Sequence, residues 1–296
     1  MCKCQQSVVL KECKAIGHPD DDTSRTLVHV EHARREFARI VRPGSGRIDG
    51  ELDEAALVVA CAVDSTVVVN DQIERIDDLA ASLSATTTAD LAIELFGGVT
   101  HDPQVHFAGN SANYYEIENS LLHRVLDRRV GIPITLAVLL IEVGRRRGIA
   151  LYGVGMPGHF LVGSDNGYID AFDRGLLHDV AGCTALYRRL AGAPVELPPN
   201  ALEPTPPGQI LRRVLMNLAA IVANNNDRVK TRAVWSLLSA FPDADHRAHL
   251  RHAFAAAEIG QFDEAAAAGG RALSDSSLQA DGRVRAQIEQ WQSRLN

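Results

Sequence analysis

An α+β fold is predicted, and three features of the chain predict it. Residues 133–148 read as one almost wholly apolar helix, Asn166-Gly167 closes a pair of strand-length runs just after it, and four helix-length segments follow a proline-rich connector. An apolar helix backed by a small antiparallel sheet, with helices gathered at one end, is the pattern of segregated α and β layers.

The central helix opens at Pro133, where a missing amide costs no hydrogen bond and the fixed φ suits a first turn. Ile134, Leu136, Ala137, Val138, Leu139, Leu140, Ile141 and Val143 leave little polar face, so the helix should be buried on most sides. The run is shorter than the roughly 18 apolar residues of a membrane span, and Glu142 with Arg145, Arg146 and Arg147 closes it. The three arginines read as a solvated helix end favoured by the dipole. A shorter helix, Leu121 to Arg129, precedes it.

Leu151 to Gly155, His159 to Ser164 and Gly167 to Phe172 read as strands, the last two flanking a two-residue Asp165-Asn166 loop. In an antiparallel hairpin of that kind His159 and Asp170 project from the same face. A carboxylate beside an imidazole sets its tautomer and stabilises its cation, the base-and-orienter half of a nucleophilic site. Pro157-Gly158 bends the chain ahead of His159. The plainer alternative is a hydrogen-bonded core histidine. Asp173, His178 and Asp179 do not join the pair as a metal site, because Asp173 falls on the opposite face and Gly175 breaks the strand before His178.

Upstream, Thr26 to Val41, Asp53 to Cys61, Ile73 to Leu83 and Thr88 to Phe96 are helical, the last capped by Thr88. They form a helical N-terminal layer around the central helix. Between Val99 and Asn119 lies a loop with Asn113, Tyr114, Tyr115 and Asn119, either turn, cap and cover residues or the rim of a cleft. Downstream, the prolines from Pro194 to Pro207 mark a boundary. Ile210 to Asn225, Val229 to Phe241, Ala244 to Ile259 and Phe262 to Leu273 then make two helix pairs of repeat-like length, with a further helix from Arg283. The expected organisation is a flexible tail over 1–24, a core over 25–192, a linker over 193–208 and a helical domain over 209–296.

The segments FAGNSANYYEIENSLLHRVLDRRVGIPITL, GMPGHFLV and YIDAF resemble the transglutaminase-like core of the SirB-type bacterial proteins. That resemblance implies a degenerate transglutaminase-like, papain-like core followed by tetratricopeptide-like helices. It also implies roles: a Cys at the N-terminus of the buried helix as nucleophile, a His on the next strand as base, and an Asp one strand on as its orienter. His159 and Asp170 match the second and third members, as a surviving or vestigial pair. The first does not match, for Pro133 stands where the Cys would be. Thr135, the nearest hydroxyl, is swung to another side of the helix.

Two functions follow. In one, the chain is a non-catalytic scaffold that binds a protein or peptide through a cleft bounded by Asn113, Tyr114, Tyr115, Asn119, Pro133, Thr135, Pro157 and Gly158. In the other, it is a hydrolase or acyl-transferase using His159 and Asp170 with a relocated nucleophile, Cys61, Cys183, Ser120 or Thr135. A net charge of −7 without a long basic stripe argues against nucleic acid. No secretory signal is visible, so a cytoplasmic location with free thiols is expected. Cys2, Cys4 and Cys13 with His18 fit no familiar zinc spacing, and neither a metal nor another cofactor is expected.

Overall fold

The computed structural model describes residues 22–42, 51–275, 278 and 282–294. Cys2, Cys4, Cys13 and His18 lie outside these residues. Four helices form the N-terminal layer: α1 (Asp22–Ile40), α2 (Leu52–Val63), α3 (Val69–Ser82) and α4 (Thr88–Phe96). Nearly every residue of α2 is buried, because it packs against α1 and α3 and against helices from much later in the chain. The cap of α4 is Thr87 and not Thr88. The Thr87 hydroxyl accepts from the Asp90 amide at 3.2 Å, while Thr88 is buried.

After α5 (Leu122–Arg128) comes the central helix α6 (Pro133–Arg146). It packs on α2, α3 and α4 on one side and on the sheet on the other, as its all-apolar surface requires. The arginines at its end are not simply solvated. Arg146 is largely buried and bridges three carboxylates, Asp53 at 2.6 Å, Asp77 at 2.5 Å and Glu142 at 3.1 Å. Arg147 donates to the Ala85 carbonyl. Apart from Glu142, one turn back on the same helix, these partners lie 62 to 93 residues away, where no local pattern records them.

Two short strands, β1 (Ala108–Gly109) and β2 (Val130–Gly131), pair in parallel just ahead of α6. The main sheet is antiparallel, in the order β3 (Tyr152–Val154), β4 (Leu161–Ser164), β5 (Gly167–Asp170) and β6 (Leu176–His178). Its hairpin pairs Val162 with Ile169 and Ser164 with Gly167 around the Asp165-Asn166 loop. The sequence reading stops at Gly175, but that glycine adopts φ +75° and turns the chain into a fourth, edge strand. It also passes over α7 (Val180–Ala191), which Asp179 caps by accepting from the Gly182 amide at 2.7 Å.

The proline-rich connector is strapped to the free edge of β3. Pro204 bridges Val154, the Thr205 amide donates to the Gly153 carbonyl at 2.7 Å, and the Thr205 hydroxyl accepts from the Gly155 amide at 2.8 Å. The helices α8 (Pro207–Asn224), α9 (Arg228–Leu238), α10 (His246–Glu258), α11 (Phe262–Ala272) and α12 (Gly282–Ser293) follow. Leu211, Leu215 and Leu218 of α8 and Val234 and Leu237 of α9 share one apolar core with Phe37, Leu57 and Leu136. That core therefore runs across the connector. A second, alanine-rich cluster of Ala253, Ala256, Ala265 and Ala268 with Ile288 and Trp291 holds α10 to α12. Among the described residues no helix is long and apolar enough to cross a membrane.

Candidate functional site

The turn before β4 delivers His159. Its amide donates to the Met156 carbonyl at 3.0 Å, and Gly158 takes φ +77°, the geometry of a turn with proline second and glycine third. A β-carbon at Gly158 would meet nothing, so this glycine serves conformation and not space. The ring of His159 is buried, and its Nε2 lies 2.9 Å from Oδ2 of Asp170. Asp170 is held in turn. Its Oδ1 accepts from the amides of Phe172 at 3.0 Å and Asp173 at 3.1 Å, so both oxygens are used and the carboxylate is aimed. With Nε2–H donated to Asp170, the lone pair of the neutral ring sits on Nδ1, the nitrogen of a general base.

A chain of close contacts ties this pair to the start of α6. The Phe172 ring stands edge-on to His159, with centroids 6.2 Å apart, and to Tyr114, 6.0 Å apart. Gly109 lies beneath that ring and donates its amide to the Phe172 carbonyl at 3.1 Å. A β-carbon on Gly109 would fall 2.3 Å from the ring, so no larger residue fits. Gly109 pairs with Gly131, two residues before Pro133.

Of the loop residues, Asn119 is occupied by the backbone around it, while Asn113 is exposed and takes part through its backbone, its amide donating to Asn110 Oδ1 at 3.0 Å. Asn119 is fully buried; its Nδ2 donates to the carbonyls of Asn113 at 2.7 Å and Tyr114 at 3.2 Å, and its Oδ1 accepts from Asn110 Nδ2 at 3.1 Å. Thr135 donates its hydroxyl to the Asn119 carbonyl at 2.6 Å and accepts from the Ile132 amide, which closes the start of α6. Tyr115 is 76 % exposed at the rim.

None of the four candidate nucleophiles hydrogen-bonds His159. Thr135 is committed as above. Cys61 Sγ lies 3.1 Å from Nε2 of His29, far back between α1 and α2. Cys183 is fully buried against Val154, Met156 and Leu161, and burial pushes its thiol up to about 11. Ser120 is buried with its hydroxyl unpartnered. Among the described residues no three His, Cys, Asp or Glu side chains converge to hold a metal ion.

Arg213 of α8 is a site residue that sequence reasoning missed. Its Nη2 donates to the His159 carbonyl at 3.0 Å, its guanidinium lies over the Phe160 ring, and it has no carboxylate partner among the described residues. A β-carbon at Gly155 would lie 2.6 Å from Arg213 Nη1. Fifty-four residues and the whole connector separate it from His159, so no spacing links them.

Residues 70–216, which hold α3 to α7, both sheets and the half of α8 bearing Arg213, match the model of the transglutaminase-like superfamily. The chain carries a transglutaminase-like domain. It is 42% identical over 129 residues to a UPF0162 protein of Xylella fastidiosa (strain 9a5c), covering 40% of this chain and 45% of that protein. A UPF0162 protein of Pseudomonas aeruginosa is 39% identical over 103 residues, 34% of this chain and 37% of that protein. F-box only protein 21 of Mus musculus is 40% identical over 74 residues, 24% of this chain and 12% of that protein. The chain thus spans less than half the length of these relatives. No solved structure matches it significantly.

Proposed function

We propose that the transglutaminase-like domain of this chain is non-catalytic, of the SirB type with a papain-like core. In this reading its His159 cleft, with the helices that follow acting as tetratricopeptide-like repeats, binds a protein or peptide in the cytoplasm. The observation that carries this is Pro133 at the first position of α6. A helix N-terminus is where dipole and free amides would activate a thiolate, and a proline ring has nothing to ionise. The orienting half of the machinery remains, while Cys61, Cys183, Ser120 and Thr135 are engaged or buried elsewhere. Tyr114 and Tyr115 on the rim and the ion-pair-free Arg213 are groups a polypeptide partner uses: rigid aromatic area and a guanidinium.

The test compares the parent chain with His159→Ala and Pro133→Cys, using p-nitrophenyl acetate and a glutamine peptide with a primary amine. The parent should turn over neither substrate faster than His159→Ala. Turnover that disappears with His159→Ala overturns the reading. For binding, peptides selected from a random library on the parent should lose affinity with Tyr115→Ala. Selected peptides indifferent to Tyr115 and Arg213 would place binding outside this cleft.

A further inference from the structure

A second cleft, built from α1, α9, α10 and α11, has a volume of about 540 Å³ and is lined by Arg34, Arg35, Arg232 and Arg271. Such a gathering of guanidinium groups stands out in a chain of net charge −7. Three carboxylates, Glu31, Asp263 and Glu264, line it with the four arginines and leave one formal positive charge in excess. Glu264 is spent: its Oε2 takes Arg232 at 2.7 Å and its Oε1 lies 2.6 Å from Nε2 of His252. Glu31 is 4.0 Å from Arg34, the far limit of an ion pair. Arg271 has no ion pair among the described residues.

Buried donors without partners collect at the same place. Arg232 is 4 % exposed, and its Nη1 is buried with nothing to donate to. Nε of Arg34 is in the same condition. These are two of the seven such buried side-chain atoms among the described residues. Native proteins rarely leave a buried charged donor unmatched. The groups also repel one another. Burial first, and then the charge of Arg34, hold Arg271 below its usual range; burial, Arg271, His252 and Arg34 do the same to His249.

We propose that this cleft binds a small phosphate-bearing anion, held by Nη1 of Arg232 and the guanidinium groups of Arg34 and Arg271. Donors arriving from three helices suit a tetrahedral oxyanion, whose oxygens point in several directions, better than one planar carboxylate. The volume lies in the range of small-molecule sites. Among the described residues no Phe, Tyr or Trp lines it, so none stacks a base, while Glu31 and Asp263 in the lining offer acceptors for hydroxyl groups of a sugar-like remainder.

The experiment is thermal unfolding of the full chain at constant ionic strength with inorganic phosphate, glucose 6-phosphate or citrate as probe, sodium chloride making up the balance. A saturable rise with either phosphate probe is expected. Arg34→Gln and Arg271→Gln should each weaken it by about tenfold or more, the loss of a charge-assisted hydrogen bond. Without ligand both variants should melt no lower than the parent, since each removes like-charge repulsion. Arg34→Lys, which keeps the charge but not the planar fork, should weaken binding by less than Arg34→Gln. A response no larger than that to chloride, saturation by citrate alone, or affinity unchanged in the Arg34→Gln, Arg271→Gln double variant overturns the proposal.

Discussion

The imidazole of His159 meets the carboxylate of Asp170 at 2.9 Å, with both side chains buried and the carboxylate's second oxygen tied to the backbone amides of Phe172 and Asp173. The neutral ring should therefore hold its proton on Nε2, which nitrogen-15 NMR of the two ring nitrogens reads directly. Asp170→Asn keeps an acceptor for the amides but gives up the charge-assisted bond. It should cost about 1–3 kcal/mol in urea unfolding and mix the tautomers. A parent protein with the proton on Nδ1 would contradict the geometry.

Arg146 joins the end of α6 to α2 through Asp53 and to α3 through Asp77, and also pairs with Glu142 of its own helix. Burial and the neighbouring Asp53 charge raise the Glu142 carboxyl above its usual range, even with two arginines beside it. Arg146→Met would leave buried carboxylates uncompensated and should destabilise by about 3–5 kcal/mol. Arg145→Met, on an exposed partner of Glu142, should cost far less; equal losses would show that Arg146 is not the keystone.

Asp64 follows α2 and receives His123 at 3.2 Å and Arg124 at 2.9 Å from α5. Burial opposes its ionisation, but hydrogen bonds from the Thr66 hydroxyl and amide and from His123 outweigh that and hold the carboxyl at about 2. A depressed carboxyl stabilises the fold above its unfolded value near 3.8 and loses that contribution as pH falls toward 2. Asp64→Asn should flatten the stability profile between those limits, by no more than about 1 kcal/mol given solvent screening. An acid limb of the same slope in both proteins would exclude the effect.

Cys183 behaves oppositely. Its folded thiol is pushed up to about 11, chiefly by burial, so it stays neutral where the unfolded thiol ionises. Stability should be intact below pH 9 and decline as pH rises from there to 11, by about 2–3 kcal/mol. Cys183→Ala should remove that decline. Native Cys183 should also resist iodoacetamide at pH 8 until the chain is unfolded.

How far the site is legible in the sequence depends on the distance over which each residue acts. The Asp165-Asn166 turn and the alternation on either side of it mark the hairpin, because strand parity is a local property, whereas His159 precedes β4 and meets Asp170 from the turn that begins at Met156. The apolar run with proline at its head marks α6 for the same reason. The Thr87 cap and the short strand after Gly175 rest on two or three residues of pattern, too few to separate such alternatives, and α7 buries only Cys183 and Leu186, too narrow an apolar stripe to mark a helix.

The sequence by itself determined the local order of helices, the hairpin and the absence of a nucleophile at Pro133, all consequences of short-range periodicity and residue chemistry. Only the tertiary structure decided which charges are neutralised and which are not. Arg146 is matched by carboxylates from two other helices, Arg213 reaches His159 from across the connector, and Arg34 faces Arg271 from the far end of the chain. Electrostatic energy depends on distance in space and on burial, and neither is written in the spacing of residues along the chain.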